Sequence, residues 1–161
     1  MTLGPFFPPE FARGANDLTG LDGRKAPGER IEVSGRITQL DGRPLDNVVV
    51  EIWQADSRGR YDAPDFSGWG RAATDAHGVY RFRTITPGAG EGRAAHINFL
   101  LLYSGLMRHL QTVMYFELGA DPVLDAVPAA RRKLLVARRD RGGYQFDIRL
   151  RGEGETPFFD D

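Results

Sequence analysis

Cysteine is absent from this 161-residue chain, and histidine is scarce. The three histidines are His77, His96 and His109, and there are five tyrosines. Without cysteine the chain forms no disulfide and offers no thiolate ligand to zinc or to an iron–sulfur cluster. A cysteine nucleophile is excluded for the same reason. Metal or acid–base chemistry on this chain therefore depends on a few imidazoles, phenols and carboxylates.

Excess charge and long apolar runs are missing as well. Lysine and arginine total 21 against 22 acidic residues, so a nucleic-acid partner has no electrostatic basis here. The longest apolar run, 99–103, is far too short to span a bilayer, and residues 1–9 lack the basic segment of a signal peptide. We therefore expect a cytoplasmic protein with neither a membrane nor a nucleic-acid partner.

Alternating apolar and polar residues predict an all-β domain. Residues 30–38 alternate with the two-residue period of a half-buried strand, and Asp41-Gly42 after them is a hairpin signal. Other segments alternate in the same way or are continuously apolar and rich in β-branched residues. The pattern predicts an antiparallel β-sandwich core. The predicted strands cover residues 30–38, 48–53, 80–85, 95–103, 111–117 and 144–151.

Three segments fall outside these strands. Residues 1–29 are rich in glycine, proline and aromatic residues, which predicts an extended N-terminal arm that packs on a partner chain. Residues 30–161 would then form the β-sandwich domain. Residues 56–72 have the composition of a loop, and residues 128–139 predict one short helix with proline at its first turn.

Among the candidate chemical groups, His96 has the most informative surroundings. No Gly-x-Ser-x-Gly motif is present, and the glycines at 88–92 lack the Lys-Ser/Thr of a phosphate loop. His96 lies on a predicted strand with Asn98 on the same face. A second histidine there would complete a ligand pair, but a neutral amide is a poor ligand for a transition metal. A lone strand histidine is more often a hydrogen-bonded structural residue, so these residues indicate at most a half-formed metal site.

Several longer motifs are specific enough to indicate a family. They are Gly-Pro-Phe-Phe-Pro at 4–8, Trp-Gln-Ala-Asp at 53–56, Gly-Arg-Tyr at 59–61, His-Ile-Asn at 96–98 and Gly-Glu-Gly-Glu-Thr at 152–156. Through them the chain resembles the intradiol ring-cleavage dioxygenases. The resemblance implies a β-sandwich and O₂-dependent cleavage of a catechol between its hydroxylated carbons. It also implies ferric iron held by two tyrosines and two histidines.

The ligand positions implied by this resemblance are only half filled. The first tyrosine corresponds to Tyr61 and the first histidine to His96, whereas Asn98 replaces the second histidine. The second tyrosine falls where this chain has Ala89-Gly90. The resemblance therefore implies a subunit with no catalytic residue and no complete metal site of its own. Fe(III) is expected on a homologous partner chain, in an assembly of two kinds of subunit that associates further.

The resemblance also implies substrate contacts from the N-terminal arm. Thr2, Gly4 and Pro5 match the segment that borders the partner's substrate pocket. Ser104 stands where related chains often have an arginine, and Arg108 is the nearby candidate for neutralising a substrate carboxylate.

Two alternatives remain open from the sequence. The first is a self-sufficient iron dioxygenase whose altered ligands are Tyr61, His96 and another tyrosine. The second is a non-catalytic β-sandwich module of the transthyretin or carboxypeptidase-regulatory kind, because residues 75–82 and Pro87-Gly88 recur in such modules.

Overall fold

Two β-sheets packed face to face form the body of the protein. The computed structural model describes residues 15–21, 24–103 and 109–159. These residues contain eleven strands, one short α-helix and one 3₁₀ helix. The strands are β1 Gly20–Leu21, β2 Arg24–Lys25, β3 Arg30–Thr38, β4 Val49–Gln54, β5 Trp69–Ala73, β6 Val79–Ile85, β7 His96–Leu102, β8 Leu110–Tyr115, β9 Arg138–Asp140, β10 Gly143–Gln145 and β11 Ile148–Arg149.

The two sheets differ in how their strands pair. In the first sheet β3 is central, with β6 antiparallel along one edge and β10 then β11 parallel along the other. Strand β9 pairs with β10. The second sheet is antiparallel throughout, in the order β5-β4-β7-β8. Strands β1 and β2 form a small antiparallel pair of their own. The predicted all-β sandwich is confirmed.

The core lies between the sheets and is built from one face of each strand. Val33 and Phe82 pair across β3 and β6, and both are fully buried. From the second sheet Phe99 meets Tyr80 edge-on at 5.7 Å and Phe146 at 5.2 Å between ring centroids. The two-residue alternation thus sends alternate side chains into a common apolar layer, as expected for a sandwich.

The outer face of the second sheet is covered on one side only. Helix α1, Pro122–Asp125, and the 3₁₀ helix, Ala129–Leu135, pack Leu124 and Leu135 against Val113 and Tyr115 of β8. On β4 and β5 the outward side chains Trp53 and Trp69 remain 46% and 42% exposed. None of the helices in the described ranges has the length and apolarity required to cross a membrane.

The helix predicted over residues 128–139 is present but shorter than predicted. The segment is a 3₁₀ helix that ends at Leu135, and residues 138–140 are strand β9. The chain leaves the helical path because Val136 is extended and the Ala137 amide donates to the Tyr115 carbonyl of β8. The α-helix is instead the unpredicted α1, which Asp121 caps by accepting hydrogen bonds from the amides of Val123 and Leu124.

The single strand predicted over 144–151 is also wrong. It is two short strands, β10 and β11, and both run parallel to β3. The break falls at Asp147, whose carboxylate accepts a hydrogen bond from the Arg36 amide at 3.0 Å in place of a backbone carbonyl. A side-chain hydrogen bond therefore replaces one backbone hydrogen bond between the strands, and the strand bulges at this point.

Two further local predictions need correction. The Asp41-Gly42 turn forms, with Gly42 at φ 79° and the Gln39 amide donating to the Arg43 carbonyl at 2.9 Å. It does not join a hairpin of β3 and β4, because these strands belong to different sheets. The predicted loop over 56–72 contains the beginning of β5, which pairs with β4 along its whole length.

The described part of the N-terminal arm lies on the chain's own sandwich. The Ala15 carbonyl accepts from the Arg71 amide at 2.9 Å, and the Leu18 amide donates to the Arg83 carbonyl at 2.8 Å. Leu18 is buried among the core residues. Residues 1–14 lie outside the described ranges, so contact between the arm and a partner chain stays a prediction.

Candidate functional site

Tyr61, His96 and Asn98 come together at one end of the second sheet. The Tyr61 hydroxyl lies 3.1 Å from Nε2 of His96 and 3.2 Å from Nδ2 of Asn98. His96 and Asn98 project from the same face of β7, two residues apart, and Tyr61 reaches them from the loop after β4. The predicted vestigial positions therefore form one hydrogen-bonded triad, which we call the Tyr61 triad.

The turn that presents Tyr61 is organised by Asp56. Its carboxylate accepts from the amides of Arg58 and Arg60 at 2.9 and 2.8 Å and from Nε of Arg60 at 3.0 Å. Burial of Asp56 acts to raise the pKa of its carboxyl, but these hydrogen bonds outweigh it, so the pKa is lowered. Gly59 turns the chain at φ 82°. Asp56 thus stays ionised and holds the loop in one conformation.

Gln54 ties the same loop to the first sheet. Its Nε2 donates to the carbonyls of Ala55 and Ile85, at 3.1 and 2.9 Å, and its Oε1 accepts from the Thr84 hydroxyl at 2.6 Å. Trp53, the preceding residue, stacks on Tyr61 with 5.8 Å between ring centroids and 23° between planes. Each polar or aromatic residue of the Trp-Gln-Ala-Asp motif therefore helps to place Tyr61.

His96 is held as a neutral imidazole with a defined tautomer. Its Nδ1 donates to the Ala94 carbonyl at 2.7 Å, which leaves Nε2 as the acceptor for the Tyr61 hydroxyl. Burial is the main cause of the lowered pKa of His96. The Tyr61 hydroxyl therefore donates a hydrogen bond to Nε2 of His96 and accepts one from the Asn98 amide.

A buried charge network stands behind His96, and sequence reasoning missed it. Asp121 accepts from Nε of Arg93 at 2.8 Å, from the Tyr115 hydroxyl at 2.7 Å and from the Ala94 amide at 3.0 Å. Ala94 links this network to the triad, because its carbonyl accepts the proton of His96 Nδ1. The signal in the sequence is Asp121-Pro122, an N-cap residue followed by proline at the first helical position.

The network sets the charge states of its members. Burial of the Asp121 carboxyl opposes ionisation, yet hydrogen bonds led by those from Arg93 and Tyr115 hold its pKa well below the usual range. Burial, followed by the hydrogen bond to Asp121, raises the pKa of Tyr115 to about 12. Asp121 is therefore a carboxylate paired with Arg93, and Tyr115 stays a phenol.

The residues at the triad do not fit a ferric ion. Among the triad atoms, only the Tyr61 oxygen and His96 Nε2 are suitable iron ligands, and these two atoms are hydrogen-bonded to each other. The side-chain amide of Asn98 donates to the Trp53 carbonyl at 3.0 Å and to the Tyr61 hydroxyl. Its N–H groups, and not its oxygen, therefore face Tyr61. A hard trivalent cation needs anionic oxygen and imidazole donors, which an amide N–H cannot replace.

The loop at Ala89-Gly90, where the resemblance places the second tyrosine, has no side chain that would add a donor. Ala89 is exposed, and a Cβ atom on Gly90 would stand 2.8 Å from the Gly59 carbonyl oxygen. The two loops meet backbone to backbone, and the Gly88 amide donates to the Asp56 carbonyl at 2.9 Å. Small residues are therefore required where these loops touch.

The remaining predicted residues are divided between exposed and undescribed positions. His77 lies in an exposed turn, and His109 is exposed at the start of β8. Thr2, Gly4, Pro5, Ser104 and Arg108 lie outside the described residues, so their roles stay predictions.

Comparison with known proteins gives the same family along nearly the whole chain. A family profile described as Dioxygenase matches residues 2–152. The protocatechuate 3,4-dioxygenase beta chain of Burkholderia cepacia is 40% identical, over 89% of this chain and 77% of the relative. The alpha chain from the same organism is 33% identical, over 99% of this chain and 94% of the relative.

A solved structure agrees with the sequence relatives. The dioxygenase domain of a dioxygenase carbohydrate-binding protein fusion from Streptomyces sp. SirexAA-E superposes with a TM-score of 0.65 at 29% identity. The match covers 94% of this chain and 96% of that domain. The chain therefore belongs to the dioxygenase family, the intradiol ring-cleavage enzymes that its motifs resemble.

Proposed function

We propose that this chain is the iron-free alpha subunit of a protocatechuate 3,4-dioxygenase. In that role it supports insertion of both atoms of O₂ into 3,4-dihydroxybenzoate, which opens the ring to 3-carboxy-cis,cis-muconate. The observation that carries the proposal is the Tyr61 triad. At these positions, which correspond to iron ligands of the family, Asn98 replaces one histidine, and Tyr61 and His96 are hydrogen-bonded to each other. Relatives at 33% and 40% identity are alpha and beta chains of this enzyme.

The proposal places the ferric iron on a beta subunit of the same family. Ferric iron bound there supplies the activation of a catecholate toward O₂. Thr2, Gly4 and Pro5 of this chain would border the substrate at that centre, and paired alpha and beta subunits would associate further in the cytoplasm. The balance of 21 basic and 22 acidic residues fits a small aromatic acid as substrate and no nucleic-acid partner.

The chain's own polar groups serve the fold in this proposal. The triad satisfies its hydrogen-bonding groups without a metal, because every donor of Tyr61, His96 and Asn98 named above has an acceptor. The Asp121 network fixes the strand start at Ala94 and His96. Both stabilise the end of the second sheet that would otherwise hold the metal.

The test compares the isolated chain with its complex. The isolated chain should contain far less than one iron per chain, lack the visible tyrosinate-to-iron absorption band and consume no O₂ with 3,4-dihydroxybenzoate. The complex with an iron-bearing family chain should show all three properties. An isolated chain with stoichiometric ferric iron and ring-cleaving activity would contradict the proposal.

The self-sufficient dioxygenase has less support because the described residues place no suitable third ligand beside Tyr61 and His96. Tyr115 is the tyrosine next to His96, with ring centroids 6.0 Å apart, but its hydroxyl is bound to Asp121 and Arg93. Its raised pKa, about 12, also disfavours a phenolate ligand. The transthyretin-like module has less support because the dioxygenase profile covers residues 2–152.

A further inference from the structure

A row of aromatic side chains lies on the outer face of the second sheet. Trp53 and Trp69 are directly opposite each other on β4 and β5. Tyr61 stacks on Trp53 with centroids 5.8 Å apart, and the Arg71 guanidinium lies 5.3 Å from the Trp69 ring centroid. We call Tyr61, Trp53, Trp69 and Arg71 the aromatic ladder.

The ladder is the main exposed apolar feature of the described residues. Trp53, Trp69 and Tyr61 are 46%, 42% and 39% exposed, and they are three of the five large hydrophobic residues found exposed there. The other two, Leu40 and Leu118, lie singly elsewhere. With roughly 150–250 Å² per aromatic side chain, the three rings expose on the order of 300 Å². Contiguous patches of that size on a folded chain are often functional.

The composition of the ladder favours a protein partner. Glu51 and Arg71 form an ion pair inside the patch, so its charge is already balanced and it offers no net attraction to an anion. Tyr61 stacks on Trp53 and the Arg71 guanidinium lies over Trp69, so one face of each tryptophan ring is already occupied within the chain, which leaves less area for a stacked sugar or base. Tryptophan, tyrosine and arginine are the residues most enriched at the energetic centres of protein interfaces.

The position of the ladder favours a second chain of this family. The ladder is continuous with the Tyr61 triad, since Tyr61 belongs to both. The described chain begins at Ala15, whose carbonyl binds the Arg71 amide, so the predicted partner-contacting arm joins the domain beside the ladder. The helical segment covers β8 but leaves β4 and β5 open. A stable interface buries about 800 Å² per partner, of which the ladder would be the centre.

We propose that the aromatic ladder is the centre of the surface that docks the iron-bearing partner chain. This inference rests on the proposed function and adds to it the face that makes the contact. Docking there would cover both tryptophans of the chain and bring the empty ligand site of this subunit against its partner.

The first test uses the two tryptophans, which are the only ones in the chain. The chain is labelled with 5-fluorotryptophan and mixed with the unlabelled iron-bearing family chain isolated from the source cells. The solvent isotope shift of each ¹⁹F resonance, between H₂O and D₂O, reports the exposure of Trp53 and Trp69. Both shifts should be present in the free chain and fall at least twofold in the complex.

The second test uses variants with a matched control. Trp69→Ala and the double variant W53A/W69A should reduce recovery of the iron-bearing chain by at least tenfold. Leu40→Ala and Leu118→Ala remove apolar side chains that are even more exposed, at 61% and 60%, and should leave recovery unchanged. Circular dichroism checks the fold, and the labelled wild-type chain gives the answer even where a variant fails to fold.

The outcomes separate this inference from the function on which it rests. If the wild-type chain recovers no iron-bearing family chain, the proposed function fails and the inference fails with it. If the complex forms while both isotope shifts persist, or while W69A binds as wild type does, the docking face is wrong and the function stands. Isotope shifts absent already in the free chain would mean that the chain's own arm covers the ladder, which also overturns the inference.

Discussion

The Tyr61 hydroxyl donates to Nε2 of His96 across 3.1 Å, although 35 residues separate the two along the chain. Each atom of this pair is a potential metal ligand, and each satisfies the other. Asn98 completes the arrangement by donating to the same hydroxyl. The three side chains, at positions that the family resemblance predicts for metal ligands, are thus joined as a hydrogen-bonded polar cluster.

Substitution Asn98→His should create metal affinity. The new imidazole would lie on the same face of β7 as His96 and opposite Tyr61, so three donors of the right type would converge. We expect Cu²⁺ to bind at least about 10-fold tighter than to the wild-type chain, because loss of even an outer-shell partner typically changes metal affinity by about 10–100-fold. Isothermal titration calorimetry measures this, with Asn98→Ala as the control for loss of the amide. Equal affinity in all three proteins would contradict the expectation.

Removal of Asp121 should destabilise the fold. Asp121→Ala leaves the guanidinium of Arg93, whose side chain is only 28% exposed, without its carboxylate and removes the cap of α1. Breaking such a pair costs about 3–5 kcal/mol when it is buried, and we expect about 3 kcal/mol in the free energy of unfolding. Urea denaturation measures this quantity.

The matched control is the exposed ion pair between Arg43 and Asp41, whose side chains are 73% and 57% exposed. Arg43→Ala should change the free energy of unfolding by less than about 1 kcal/mol. A loss for D121A no greater than that for R43A would show that the Asp121 network contributes little.

Acidic pH should lower the free energy of unfolding, because the buried carboxylates Asp56 and Asp121 become protonated. The pKa values of Asp56 and Asp121 are lowered in the folded state from 3.8, the ordinary value of the unfolded chain. Their contribution is therefore complete above about pH 4–5, and it is lost as the pH falls through 3.8 toward the folded-state values, because the unfolded chain then binds more protons. Urea midpoints measured between pH 7 and pH 2 should fall across this window. The fall should be shallower in D121A, and identical slopes would argue against it.

Substitution Gly59→Ala should disturb the Tyr61 loop. The residue has φ 82°, and a Cβ atom there would run into the carbonyl of Ala89. Gly42→Ala is the matched control, because Gly42 has φ 79° and nothing within 4 Å of the added atom. The control should lose about 1 kcal/mol from backbone conformation alone. G59A should lose at least about 1 kcal/mol more, with a change in the fluorescence of Trp53, which stacks on Tyr61. Equal losses would mean that the loops separate freely.

Local patterns predicted the strands whose side chains alternate and missed features that depend on distant partners. Residues 30–38 form β3 with the predicted bounds, because one face is buried and the other is not. The break at Asp147 could not be predicted, since its cause is a hydrogen bond from Arg36, 111 residues away. The parallel pairing of β10 and β11 with β3 has the same origin in tertiary structure.

The site was predictable to the extent that it resembles a family. The motifs placed Tyr61, His96 and Asn98 at related positions, and the structure brings them together. Neither spacing nor periodicity links Arg93 to Asp121, so the network behind His96 emerged only from the three-dimensional arrangement. The mutual hydrogen bonding of the triad likewise depends on a loop path set by Asp56 and Gln54.

The pairing of β3 with β10 and β11 has a consequence for the order of folding during synthesis. The second sheet uses residues 49–115 and can assemble as soon as they have left the ribosome. The central strand of the first sheet must wait for residues 143–149, so one of its long edges stays unpaired until those residues have been synthesised. A nascent chain stalled or cleaved before Gly143 would expose that edge to other chains, so residues 143–149 protect the central strand from edge-to-edge association.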